Sequence, residues 1–174
     1  LLIRLNKYIS NSGVCSRREA DILIAEGKIK INNKVVTTLG TKVAEEDEVV
    51  YDGKILSPEK HQYILINKPK NCITTVKDTH DRKTVMDIID GACVERLYPV
   101  GRLDRDTTGL LLMTNDGDLT KRLTHPSFGV KKKYVIQLEN SIHPNCLKEM
   151  VSGIHLEDGE VKYDEVKYGR QGTD

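Results

Sequence analysis

The chain contains no tryptophan and a single phenylalanine, and seven tyrosines supply most of an aromatic share of only 5%. Any stacking on a planar ligand therefore falls to a tyrosine. Cysteine is also sparse. Cys15, Cys72, Cys93 and Cys146 stand singly, without the short paired spacings that hold a metal ion, and they read as small buried hydrophobes. The five histidines are equally unpatterned, so no metal and no cofactor is expected. No apolar run has transmembrane length and no leader pattern opens the chain, so a soluble, cytoplasmic protein is expected. Charge of either sign is not in excess: 27 Lys and Arg against 26 Asp and Glu leave a net charge of +1. Contact with a polyanion would have to come from local basic patches. A phosphate-cradling glycine loop is missing too, which argues against a nucleotide-binding fold.

The 174 residues, 38% of them hydrophobic, suffice for one ordinary domain or two small ones. Residues 1–56 read as two short helices followed by a small antiparallel sheet. Leu5, Tyr8 and Ile9 give the first helix an apolar face. Ser16-Arg17-Arg18-Glu19 is a capping box for the second, with Ala20, Leu23 and Ile24 as its buried stripe and Gly27 as its stop. Asn32-Asn33 and Asp52-Gly53 are two-residue hairpin turns, because Asn, Asp and Gly tolerate the positive φ such turns need. Arg4, Lys7, Arg17 and Arg18 lie off the apolar stripes.

Residues 57–61 are polar, contain Pro58 and read as a linker. Beyond them, residues 62–174 suggest a mixed domain. Buried strands are expected at residues 63–67 and 109–114, and further strands at 73–76, 134–138 and 161–168. Short helices are expected after Thr84, at 119–123 capped by Asp118, and from Pro144 to the stop at Gly153. Helices interrupting strands without a regular alternation point to an α+β fold around an antiparallel sheet. Asn115-Asp116-Gly117-Asp118 lacks the alternating ligands of a calcium loop. Lys121, Arg122 and the run Lys131-Lys132-Lys133 are further basic candidates for a phosphate backbone.

The most informative stretch is Gly101-Arg102-Leu103-Asp104-Arg105-Asp106-Thr107-Thr108-Gly109, followed at once by Leu110-Leu111-Leu112-Met113. In extended backbone, residues two apart point to one side, so Arg102 and Asp104 can share a pocket. A carboxylate beside a cation stays ionised and can act as a nucleophile.

That string resembles the signature of the RNA pseudouridine synthases that act on single sites in bacterial ribosomal RNA. The resemblance also takes in Asn67-Lys68-Pro69, Lys133-Tyr134 and Leu156-Glu157-Asp158-Gly159, and looks most like the large-subunit branch. Residues 4–50 resemble the alpha-L RNA-binding module named for a small-subunit ribosomal protein. The likeness implies an antiparallel-sheet catalytic domain with its site in a cleft across the sheet, a flipped-out uridine, and no cofactor. It makes Asp104 the essential carboxylate, with addition to the sugar and elimination of a sugar proton both open as routes. Arg102 would fill the space left by the base or steady the Asp, Tyr134 would stack on the uracil, and Thr107 would support the loop from behind. Arg4, Lys7, Arg17, Arg18, Lys121, Arg122, Lys131, Lys132 and Lys133 become RNA contacts, and a monomer is the simpler expectation. Asn71 stands where relatives tend to carry Gly. The family also has a further Gly- and Arg-rich segment that pairs a basic residue with the Asp. The sequence reaches Arg170-Gln171-Gly172-Thr173-Asp174 before it, so an incomplete sheet and weak or absent activity are expected of these 174 residues alone. A noncatalytic ribosomal RNA-binding protein would explain the N-terminal part but leave the residue 101–109 string without purpose. A fragment of a tRNA-handling enzyme would need the nucleotide-binding fold already argued against.

Overall fold

The computed structural model describes residues 2–169. By compactness the chain divides between Val130 and Lys131.

The first unit holds two hydrophobic cores. The N-terminal one begins with a short strand β1 (Ile3–Arg4), which leads into helix α1 (Leu5–Asn11) and, after a turn, helix α2 (Arg17–Ala25). Ser16 caps α2 as expected: its side chain accepts the Glu19 amide and Glu19 accepts the Ser16 amide. Strands β2 (Ile29–Ile31) and β3 (Lys34–Val36) form a hairpin across Asn32 and Asn33, both at positive φ (49° and 66°). Strand β4 (Lys42–Val43) pairs with β1, a pairing too short to carry a sequence pattern. Strands β5 (Val49–Tyr51) and β6 (Lys54–Ile55) complete a four-stranded antiparallel sheet of order β3-β2-β5-β6. Leu5, Ile9, Ala20, Ile24, Ile29, Val43, Val49 and Leu56 form the core beneath it, each large aliphatic contributing about 2 kcal/mol by leaving water.

The second core belongs to a three-stranded sheet of order β7-β9-β8, made of β7 (Tyr63–Lys68), β8 (Tyr98–Pro99) and β9 (Gly109–Thr114). Both pairings are antiparallel and in unbroken register, Leu65 opposite Leu112 and Lys68 opposite Gly109. Helix α3 (Val85–Ile88) packs on one face with Ile66, Cys72, Ile89, Leu97, Leu111 and Met113. The other face stays open. Tyr63, Leu65 and Leu110 are more than half exposed, which corrects the reading of residues 63–67 and 109–114 as buried strands: only part of each meets the core. Residues 73–76 form no strand either. Thr74 and Thr75 use their hydroxyls on loop carbonyls, and only Ile73 bridges to Thr84.

Helix α4 (Gly117–Thr124) follows β9 and starts two residues earlier than expected. Its cap is Asp116, whose carboxylate accepts the Asp118 and Leu119 amides, and not Asp118. Of the cysteines only Cys72 is fully buried, and all four are free thiols.

The second unit contains helix α5 (Pro144–Ser152), opened by Pro144 and closed by Gly153 at φ 124° as its sequence predicts. A hairpin of β10 (Ile154–Leu156) and β11 (Gly159–Val161) follows, so residues 161–168 are not the expected strand. Residues 134–138 form no strand among those described. Tyr134, Val135, Ile136 and Leu138 are all exposed; a strand has no hydrogen bonds of its own and here finds no ladder partner. Residues 170–174 lie outside the described residues.

Candidate active site

Residues 101–108 are the connection between β8 and β9, so the signature string is a loop at one end of the three-stranded sheet. The pairing continues to its mouth, where the Val100 amide donates to the Leu112 carbonyl at 2.8 Å. Gly101 (φ 78°) and Gly109 (φ 136°) bracket the loop, and these left-handed values explain why glycine stands at both ends. At its tip Asp104 to Thr107 form a tight turn, the Thr107 amide donating to the Asp104 carbonyl at 3.1 Å. Thr107 thus supports the loop through its backbone.

Three tethers hold this loop, two from within and one at the surface. Lys68, the last residue of β7, is completely buried. Its Nζ donates to the carbonyls of Pro69 (3.0 Å), Cys72 (2.7 Å) and Arg105 (3.0 Å). Three acceptors match the three N–H donors of a lysine ammonium. The Cys72 amide returns a bond to the Arg105 carbonyl at 3.2 Å. Thr74 makes the second tether: its hydroxyl donates to the Leu103 carbonyl at 2.7 Å and accepts the Leu103 amide. The third is the Arg105 guanidinium, which donates to Asn71 Oδ1 through Nε at 2.7 Å and also through its terminal nitrogen. Asn71 adopts the left-handed geometry (φ 57°) expected where relatives carry glycine.

Above these tethers Asp104 and Arg102 stand exposed. Among the described residues neither side chain forms an ion pair or hydrogen bond, so the loop presents both groups without locking them to each other. Tyr134, Lys131, Lys132 and Lys133 fall in the second unit, where all four are exposed.

The N-terminal basic residues divide into two kinds. Arg4, Arg17 and Arg18 are exposed at the starts of α1 and α2. Lys7 is already occupied, its ammonium 2.7 Å from the Asp118 carboxylate on α4. Lys121 and Arg122 are exposed in the last turn of α4. A second bridge joins Lys77 to Glu19 at 3.1 Å. Glu19 is held down to about 2, first by the Ser16 amide, then by the Ser16 hydroxyl and Lys77.

Sequence reasoning missed Lys68, Thr74 and Asn115 as site supports. Asn115 is buried at the end of β9, accepting the Gln62 amide and donating to the Lys60 carbonyl. Lys68 had a signal available: it shares the inward parity of Ile64 and Ile66, so a lysine there has to enter the core.

Comparison with known proteins finds relatives for both parts of the chain. The family model described as "RNA pseudouridylate synthase" matches residues 62–171, and the "S4 domain" model matches residues 3–49. An "Uncharacterized RNA pseudouridine synthase" of Aquifex aeolicus is 44% identical, the alignment covering 97% of this chain and 68% of that protein. "Ribosomal large subunit pseudouridine synthase B" of Bacillus subtilis is 43% identical over 90% of this chain and 64% of its own length. The chain thus spans about two thirds of these curated relatives. A solved structure titled "Crystal structure of pseudouridylate synthase" superposes with a TM-score of 0.53 at 31% identity, covering 92% of this chain and 70% of that one. With most of the chain inside one family match and both relatives similar over nearly all of it, this protein belongs to the RNA pseudouridylate synthase family and carries an S4 domain.

Proposed function

We propose that the protein isomerises uridine to pseudouridine at a defined site in ribosomal RNA, with large-subunit RNA the favoured substrate, working as a cytoplasmic monomer. In this reading residues 1–56 bind RNA, residues 57–61 join the two parts, and residues 62–174 carry the chemistry. The observation that carries it is the exposed Asp104 carboxylate on a loop whose backbone is fixed from beneath by Lys68. The Bacillus subtilis relative, named for the large subunit, supports the choice of RNA.

Isomerisation breaks the bond between N1 of uracil and the anomeric carbon, turns the base, and joins carbon 5 to the same carbon. Atoms and electrons balance within the nucleotide, so the reaction calls for no redox partner. It calls for a carboxylate at the ribose, as a retaining glycosidase does, and for a target base out of its stack. Asp104 is the carboxylate. Arg102, two residues away on the same open stretch, occupies the space the base vacates or steadies the carboxylate. Tyr134 stacks on the freed uracil and assists removal of the carbon 5 proton. Arg4, Lys7, Arg17, Arg18, Lys121, Arg122, Lys131, Lys132 and Lys133 contact phosphates and position the RNA without reading its sequence.

The test is a map of pseudouridine at single-nucleotide resolution in ribosomal RNA from cells lacking the gene, complemented with its full reading frame or with Asp104→Asn. One site is expected to disappear, returning with the native gene only. In vitro the variant should lose at least about a thousandfold in rate with RNA affinity retained. A map unchanged by deletion, or full activity in Asp104→Asn, would overturn the proposal.

A further inference from the structure

Arg102 and Asp104 stand exposed on either side of Leu103, and where they point is set by the backbone that joins them. The Leu103 amide belongs to the peptide leading from Arg102, and its carbonyl to the peptide leading to Asp104. One hydroxyl holds both. Thr74 Oγ1 donates to the Leu103 carbonyl at 2.7 Å and accepts the Leu103 amide at 3.2 Å. A side chain here does for Leu103 what an antiparallel neighbour does for the residue it faces, bonding its amide and its carbonyl together. The Leu103 side chain packs against the second core. Side chains alternate along extended backbone, so a Leu103 turned inwards sends Arg102 and Asp104 outwards, in keeping with their exposure. Thr74 is itself well anchored. Ile73, just before it, donates its amide to the Lys83 carbonyl and accepts the Val85 amide, both at 3.0 Å. Thr84 and Val85 are buried, and Thr84 caps α3. Thr74 and Leu103 are only half-buried, and water satisfies such a peptide nearly as well as a hydroxyl does. What the hydroxyl adds is a fixed position.

We propose that Thr74 is a positioning residue for the pair Arg102 and Asp104. Through Leu103 its hydroxyl fixes the two peptide planes from which they project, and so the direction in which guanidinium and carboxylate meet the nucleotide. This role rests on the functional reading above. Its chemistry is orientation, where a displacement of about an ångström can cost a hundredfold in rate. The hydroxyl carries one hydrogen, already donated to Leu103, and phosphate oxygens need donors. Its removal therefore costs turnover without a matching cost in RNA affinity.

The experiment compares native protein, Thr74→Val and Thr74→Ser, each expressed from the full reading frame, on a ribosomal RNA transcript. Melting temperature and amide hydrogen exchange are measured on the same samples. Thr74→Val keeps the shape and loses the hydroxyl; Thr74→Ser keeps the hydroxyl and loses a methyl. Thr74→Val should lower kcat at least about tenfold while KM stays within about threefold, and the Leu103 amide should exchange faster. Thr74→Ser should rescue both, with kcat within about threefold of native and Leu103 protected, even where its melting temperature falls. A threonine of merely structural value makes rate follow melting temperature through the series, and that result would overturn the positioning role. So would a native kcat in Thr74→Val, a loss in Thr74→Ser equal to that in Thr74→Val, or a KM that rises as far as kcat falls. Should Thr74→Val not fold, Thr74→Ala against Thr74→Ser makes the same comparison without the branched side chain. If the native protein leaves the transcript unmodified, the functional reading fails and the positioning role falls with it. A native enzyme that is active and unmoved by Thr74→Val overturns the role alone.

Discussion

Glu19 is tied at both ends of its residue. Its amide donates to Ser16 Oγ at 3.3 Å, one carboxylate oxygen accepts the Ser16 amide at 2.8 Å, and the other meets the Lys77 ammonium at 3.1 Å. These partners favour the ionised form, lowering the carboxyl from an ordinary 4.5 to about 2. A depressed carboxyl stabilises the fold fully above its unfolded value and loses that contribution as pH falls through its folded value. The contribution of Glu19 is therefore complete above about pH 4.5 and fades on acidification towards 2. Melting temperatures taken from pH 6 down to 2 should fall less steeply for Glu19→Gln than for the native protein across that window. Parallel curves would show that the capping box and the Lys77 bridge do not survive in solution.

At the scale of elements, Asp116 ends the strand leaving the signature loop and starts the helix after it. Its carboxylate accepts the Asp118 and Leu119 amides and the Tyr63 hydroxyl. Burial works to raise this carboxyl, and the Leu119, Tyr63, His61 and Asp118 contacts together outweigh it and hold it low. Asp116→Ala should cost about 1–2 kcal/mol, read as a lowered denaturant midpoint at unchanged slope, whereas Asp118→Ala leaves the Asp116 cap in place and should cost far less. Elements like this show what the sequence could convey. The capping box at Ser16, the Asn32-Asn33 turn and the stops at Gly27 and Gly153 were legible, because each depends on a few residues in a row. The signature string was legible as a family likeness for the same reason. What holds it was not: Lys68 reaches a carbonyl 37 residues away, and no local pattern announces a backbone acceptor. The strands expected at residues 73–76 and 134–138 failed by a related route. Propensity describes a residue that suits a sheet, while a strand exists only where a neighbouring edge supplies its hydrogen bonds.

The segment between the two cores of the first unit is held along its length. The Glu59 amide donates to the Asn11 carbonyl at the end of α1, and Asn115, from the end of β9, takes the Gln62 amide and reaches the Lys60 carbonyl. Two ion pairs add to this, Lys7 with Asp118 and Lys77 with Glu19. Both are solvent-exposed pairs of a class worth about 0–1 kcal/mol each and weakened by salt. Lys7 is also a proposed phosphate contact, so RNA and Asp118 compete for one ammonium, whereas among the described residues exposed Arg17 and Arg18 form no ion pair and Arg17 meets only the neutral Asn6 at 3.4 Å. The two cases separate in a salt titration of RNA affinity. Arg17→Glu with Arg18→Glu should weaken binding and flatten the slope of log K against log salt by at least about 1.4, the share of two phosphate contacts on a single strand. Asp118→Asn should do the reverse in affinity, tightening binding about two- to fivefold at low salt as the competing carboxylate loses its charge. Fluorescence anisotropy on a labelled ribosomal RNA fragment checks both. Unchanged binding in Asp118→Asn would mean that Lys7 stays with α4 when RNA is bound and belongs to the architecture of the unit, leaving Arg4, Arg17 and Arg18 as the phosphate contacts of the N-terminal part.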